Sequence, residues 1–312
     1  MNPLRVAAEP TRFEGEEAVA LTCGDLSAVF LPDVGMTGVS LQYRGREFLA
    51  LPGGPAAVRN GHTGGLPLLA PWANRLATRH YRVGRIDVSL RRLRLTTDAN
   101  GLPIHGLLVG APGWRVDELA ARGDRARLAA SIDVDHRAFP FPHRIEVVVD
   151  AHAAKLVVDT TVVPTGRRRV PVGFGWHPYL RLPGTPRSHW RLRLPAREHL
   201  ALDPRGIPNG ASHREAEESA PVGRRTFDDL YALGRDHRLA FEADDGAAVE
   251  LHCGVGYRCA QVWVPAGRDF AALEPMTVPT NALVDGQTPL VSPGGSYRAR
   301  FTLGVRAPGS SA

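Results

Sequence analysis

Along most of this chain, apolar and polar residues alternate at every second position, and glycine and proline cut the runs short. The pattern is carried by AVALTCG (18–24), SAVFLP (27–32), VSLQYR (39–44), VSLRRLRLTT (88–97), RARLAASIDV (125–134) and RIEVVVDAHAAKLVVDTTVV (144–163). It continues in HWRLRLPA (189–196), HRLAFEA (237–243), AAVELHC (247–253), CAQVWVP (259–265) and SYRARFTLGVRA (296–307). A period of two sends successive side chains to opposite faces of an extended backbone, so these segments read as strands. Asp-Gly at 245–246, Pro-Gly at 52–53 and 183–184, and Asn-Gly at 60–61 and 209–210 supply the turns between them. Long helices do not alternate with the strands, which argues against a parallel α/β sheet. No repeat of the kind that builds propellers or solenoids is present. An all-β fold of large antiparallel sheets with few short helices follows. Two short helical signals remain: RTFDDLYALG (225–234) and part of LPLLAPWANRLA (66–77), where Pro71 would break it. The polar, Pro/Gly-rich stretch 203–224 reads as one long surface loop. The expected organisation is a single domain over 1–308, with 309–312 as a frayed tail.

Charge narrows the partners. The formal net charge is +6, yet the arginines are spread over the whole chain and Lys155 is the single lysine. Nucleic-acid binding needs a clustered basic face, so no nucleic-acid partner is expected. The runs RRLR (91–94) and GRRRV (166–170) read as solvated strand or turn residues. Cys23, Cys253 and Cys259 form neither a disulfide framework nor a zinc spacing, and fit a reducing compartment. The first twenty residues contain no apolar stretch of secretory length, and no segment reaches the ~18–20 apolar residues of a membrane helix. The expectation is a cytoplasmic protein without a membrane partner.

Four segments carry polar residues in apolar or glycine-rich settings. In FAALEPMTVPTNA (270–282), Glu274 stands where a strand runs into a proline-broken loop. A carboxylate among apolar neighbours is partly desolvated and can act as a base; it can equally be an exposed glutamate at a sheet edge. In GFGWHPYLRL (173–182), Pro178 pushes His177 toward extended backbone, and Trp176 and Tyr179 offer flat surface for a sugar ring or for the core. PIHGLL (103–108) places His105 in a turn. In GGLPLLAPWANRL (64–76), the planar fork of Arg75 can clasp two hydroxyls and Asn74 can fix a loop. Asp228 reads as a helix cap, a first-turn carboxylate or a hydroxyl acceptor. Phosphate loops, dinucleotide fingerprints, metalloprotease helices, Cys-x-x-Cys pairs and serine elbows are all absent from the sequence. Glu274 with Asp228 leaves glycoside hydrolysis, which wants two carboxylates, as a minority reading.

These segments, with GW at 113–114, QVWVP (261–265) and the opening LPDVGMTGVSLQYRGREFL, resemble the aldose 1-epimerase, or galactose-mutarotase-like, family in content and order. The resemblance implies a β-supersandwich and a cofactor-free, metal-free enzyme that interconverts the α and β anomers of a hexose. It implies Glu274 as general base, His177 as general acid, and His105 near the ring oxygen and C1. Arg75, Asn74, Asp228 and Gln261 would bind substrate, with Asp229 as a second candidate for the aspartate. Hexose-6-phosphate and sulfonated-sugar epimerases share the family. A catalytically silent carbohydrate-binding protein on the same scaffold is a further alternative, as is a lyase. A monomer or homodimer is expected. With a carboxyl pKa near ~4.3 and an imidazole near ~6.5, the pair would start as carboxylate and imidazolium. Their proximity favours that state and burial opposes it.

Overall fold

In the computed structural model, which describes residues 5–234 and 237–309, the alternating segments are strands, and the ladders joining them are antiparallel. A nine-stranded sheet runs, edge to edge, through Glu218–Pro221, Trp190–Leu194, Arg238–Ala243, Ala248–Cys253, Tyr297–Arg306, Lys155–Pro164, Phe139–His152, Arg125–His136 and Arg115–Arg122. An eight-stranded sheet runs through Pro208–Glu215, Arg197–Leu202, Phe227–Leu233, Cys259–Val264, Ala271–Met276, Gly175–Trp176 and Leu68–Leu69, with Tyr179–Leu180 also pairing to Ala271–Met276. A third sheet is the N-terminal meander Val6–Phe13, Glu16–Cys23, Leu26–Leu31, Thr37–Tyr43 and Arg46–Glu47.

One apolar core joins these layers. Trp176 of the eight-stranded sheet meets Phe301 of the nine-stranded sheet at 5.9 Å between ring centroids. Leu273, Val262 and Val264 point into the same core, as do Val147, Val149 and Val158 from the opposite layer. Trp176 is fully buried and donates its indole N–H to Thr160 Oγ1 at 3.0 Å, so its polar atom is not stranded. The strand Ala271–Met276 is buried at every position. Leu273 faces the core, whereas Met276 packs on the other side with Leu69, Ala73, Leu230 and Cys259. Glu274 lies on that second side, two residues before Met276.

Several local expectations are overturned. Residues 227–233 are a strand, not a helix. Leu230 and Tyr231 are buried on opposite faces, and burial on two sides produces the adjacent apolar residues that mimic a helical stripe. Residues 66–77 contain only the two-residue strand Leu68–Leu69 and no helix; their apolar run reflects a buried loop. The stretch 203–224 is no single loop, since Pro208–Glu215 and Glu218–Pro221 are strands in different sheets. The strand in 88–97 ends at Ser89, a turn follows at 91–92, and pairing resumes only as an isolated bridge from Thr97 to Pro103. The segment 144–163 is a hairpin that turns at Ala153–Ala154, where no glycine, proline or asparagine signals the break. The one α-helix among the described residues, Gly54–Arg59, was not expected; it begins after Gly53 in the left-handed region, with Pro55 in its first turn. Residues 310–312 of the expected tail lie outside the described residues.

Candidate active site

Three of the sequence segments singled out above are stitched to one another by main-chain hydrogen bonds. The segment 64–76 lies in the middle. On one side His177 N–H donates to the Pro67 carbonyl at 3.1 Å, Tyr179 N–H to Gly65 at 2.7 Å, and Ala73 N–H to Gly173 at 2.7 Å. On the other side Leu107 N–H donates to Ala70 at 2.7 Å, Leu76 N–H to Pro103 at 2.9 Å, and His105 N–H to Asn74 at 3.0 Å. Asn281 adds a fourth tie, because its side-chain oxygen accepts the Ala77 N–H at 2.7 Å and its own N–H donates to the Arg75 carbonyl at 3.1 Å. Asn74, His105 and Asn281 all sit at positive φ, which costs non-glycine residues on the order of 1–3 kcal/mol and is held here by these bonds.

The stitched loops and the strand Ala271–Met276 enclose a cleft of about 180 Å³. Its lining comprises Thr63, Asn74, Arg75, Ile104, His105, His177, Tyr179, Asp228, Trp263 and Glu274. Glu274 is 2% exposed, and its Oε1 lies 3.4 Å from His177 Nε2. The His177 ring stacks on Tyr179 at 4.6 Å, and the Tyr179 hydroxyl is hydrogen-bonded to Thr63 Oγ1 at 2.7 Å. Trp263 and His105 each meet the His177 ring edge-on, at 5.6 and 5.5 Å. The imidazole is therefore fixed on three sides.

Burial dominates the electrostatics. It pushes the Glu274 carboxyl well above its usual range, with the Asp228 charge adding to the effect and Arg75 opposing it. Burial likewise holds His177 well below an ordinary imidazole, helped by His105 and Arg75. His105 is depressed by burial and then by Arg75. Of the two opposing influences on the expected carboxylate–imidazolium pair, burial is the larger, and it favours a protonated Glu274 beside a neutral His177. Glu274 Oε2, His177 Nδ1, His105 Nδ1, Asn74 Nδ2 and Gln261 Oε1 are all buried without a hydrogen-bond partner. Such groups cost free energy unless a ligand satisfies them.

Arg75 forms the polar wall. Its Nε donates to Asp98 Oδ2 at 2.9 Å and its Nη2 to Asp228 Oδ2 at 3.4 Å. Gln261, directly opposite Glu274 in the strand register, donates from Nε2 to Asp228 Oδ1 at 2.7 Å. Asp228 and not Asp229 faces the cleft, because successive strand residues point to opposite faces. Asp98 is a partner that the sequence reading missed. It ends the 88–97 segment, and its Oδ1 accepts the amides of Asn100 and Leu102 at 2.9 Å each. Burial would raise this carboxyl, but those amides and the Arg75 guanidinium together hold it below its usual value. Asp98-x-Asn-Gly was a readable turn signal; its contact with Arg75 was not. Thr63 and Trp263 were likewise missed as lining residues.

The profile of the aldose 1-epimerase family matches residues 17–304. The chain belongs to that family. Its backbone superimposes on a galactose mutarotase-like protein from Clostridium acetobutylicum with a TM-score of 0.87 at 19% identity, covering 97% of this chain and 99% of that one. A putative aldose 1-epimerase from Escherichia coli K12 gives 0.74 at 20% identity, with coverages of 91% and 97%. A galactose 1-epimerase from Lactobacillus acidophilus NCFM gives 0.77 at 12%, with 97% and 99%. At such identities the structural likeness speaks for the fold, the galactose mutarotase-like β-supersandwich. No match was found among curated proteins. Among the described residues no helix is long and apolar enough to cross a membrane.

Proposed function

We propose that the protein is an aldose 1-epimerase acting on a neutral hexose without a cofactor. The observation that carries this reading is the buried Glu274–His177 pair at 3.4 Å, set in a cleft where Glu274 Oε2, His177 Nδ1, His105 Nδ1 and Asn74 Nδ2 have no hydrogen-bond partner. Ring opening of a cyclic aldose needs a base at the C1 hydroxyl and an acid at the ring oxygen, and nothing else. A bound sugar supplies hydroxyls to Gln261, Asn74 and Glu274 where water is excluded. Hydrogen bonds from them to the carboxyl group lower the cost of ionising it, so the proton passes to His177. Glu274 then takes the C1 hydroxyl proton as His177 donates to the ring oxygen. The C1–O5 bond breaks, the aldehyde turns about C1–C2, and the ring closes with the two roles exchanged. His105, close to His177 and held neutral, donates to or accepts from the ring oxygen and C1 substituents. Arg75, Asp228 and Gln261 orient the remaining hydroxyls.

Neutral substrates are favoured over 6-phosphates or sulfonates by the state of Arg75. Among the described residues it is the one arginine or lysine lining the cleft, and two carboxylates already share it. An anion entering here would meet the Asp228 carboxylate and an Arg75 guanidinium already shared between Asp228 and Asp98. The fourfold presence of Glu274, His177, His105 and Arg75 also favours an enzyme over a silent binding protein. The test is polarimetry of freshly dissolved α-glucose and α-galactose with and without protein, followed by kcat/KM for glucose 6-phosphate at low and high salt. Accelerated mutarotation is expected. No acceleration for any neutral aldose or for glucose 6-phosphate would sink the enzymatic reading. A phosphate preference above about tenfold that fades as salt shortens the ~8 Å Debye length would sink the choice of substrate.

A further inference from the structure

We infer that the back of the active-site sheet carries a transition-metal site of the zinc class, built from His199, His213 and Glu215. The strands Arg197–Leu202 and Pro208–Glu215 are the outermost pair of that sheet, and their register sets His199 directly opposite His213. Glu215 lies two residues beyond His213 and so shares its face. His199 Nδ1 is 2.8 Å and His213 Nε2 3.1 Å from the same oxygen, Glu215 Oε1, and the three donor atoms all lie within 4.8 Å of one another. Two imidazole nitrogens and one carboxylate oxygen converging on one point form the donor set of three-ligand zinc centres, with a fourth position left for water.

The surroundings match what a metal-binding histidine needs. The other nitrogen of His199, Nε2, faces the carboxylate of Asp229 at 3.6 Å. A ligating histidine characteristically gives its remaining N–H to a carboxylate, which fixes the tautomer and strengthens the metal-bound nitrogen. Asp229 is half-buried and is itself approached by the Tyr231 hydroxyl at 3.4 Å. Arg197 takes the second oxygen of Glu215 at 2.6 Å and shares its charge with Glu218 at 3.0 Å, so Oε1 is left aimed at the imidazoles. His213 is largely exposed, which gives an ion access from solvent. Cross-strand geometry hid the group in the sequence, because thirteen residues lie between the two histidines and no helical or knuckle spacing links them. The competing account is a plain hydrogen-bond network in which Oε1 accepts from both imidazoles.

Calorimetric titration with Zn²⁺, and Co²⁺ titration followed by visible absorption, separate the two accounts in the full chain. The wild type is expected to take one zinc per chain at this site and to show the ligand-field bands of low-coordinate Co²⁺. Asp229→Asn should weaken binding about 10–100-fold. His213→Ala, a change at an exposed side chain that leaves the fold intact, should weaken it further and remove the Co²⁺ bands. Zinc should also raise the Tm of the wild type and not that of His213→Ala, because the ion clamps the two outermost strands. The inference is overturned if the wild type takes up no zinc at millimolar concentration. It is equally overturned if His213→Ala binds zinc with unchanged stoichiometry and affinity, since the ion would then sit elsewhere, for instance at the His105–His177 pair.

Discussion

Glu274 shows what burial does to a single side chain. Its carboxyl group is surrounded by apolar strand neighbours and faces an imidazole that is itself desolvated. The charged states of the pair, with two protons or with none, are both disfavoured, and the one-proton state is widened at their expense. The pH dependence follows with a definite sign. His177 is held below its ordinary 6.5, so the acid limb of kcat/KM should fall below that value; Glu274 is held above 4.5, so loss of the last proton is delayed on the alkaline side. A plateau between the two limbs is expected. An acid limb centred at or above the ordinary imidazole value would show that His177 titrates as a solvated group. Glu274→Gln preserves volume and one hydrogen-bond acceptor but cannot take a proton. It should keep the fold and cost on the order of 10²–10⁴ in rate, as should His177→Asn. A variant with half of wild-type mutarotation would remove that residue from the mechanism. Arg75→Ala should act differently, raising KM more than it lowers kcat, because hydroxyl contacts are made in both ground and transition states. A loss confined to kcat would contradict the clamp.

At the level of elements, the period of two was legible and the pairing was not. The strands within 125–163, 237–253 and 296–307 could be read from alternation because one face meets the core and the other is more open to water. The signal failed where both faces are covered: Phe227–Leu233 looked helical for that reason, and 66–77 looked helical because its loop is buried. The residues of the cleft were legible as motifs, in GGLPLLAPWANRL, PIHGLL, GFGWHPYLRL and LEPMTVPTNAL. Their mutual contacts depend on pairing between separate segments, 204 residues apart for Ala77 and Asn281, and the Asp98 tether of Arg75 spans 23 residues. Gly106 tests the stitching itself. It lies at φ 72°, and a Cβ there would overlap the carbonyl oxygen of Ala70. Gly106→Ala is expected to cost on the order of 3 kcal/mol or more and to displace His105. A variant with wild-type Tm and wild-type activity would show that this loop yields more easily than its bonding suggests.

On the scale of the whole molecule, the cleft draws on chain from both halves. Segments 64–76, 103–107 and 173–179 and residue Asn281 meet through main-chain bonds, and the strand that supplies Glu274 buries its other face in the core shared with the nine-stranded sheet. Many enzymes place their reacting groups on mobile loops that soften before the scaffold does. Here the floor of the proposed active site and the structural core are two faces of the same strand. Heating should therefore give one transition: residual mutarotation and near-ultraviolet circular dichroism should fade together, and activity lost several degrees before the fold would refute this. An engineer seeking a hardier catalyst could then select for thermostability anywhere in the core and recover working active sites without screening for them.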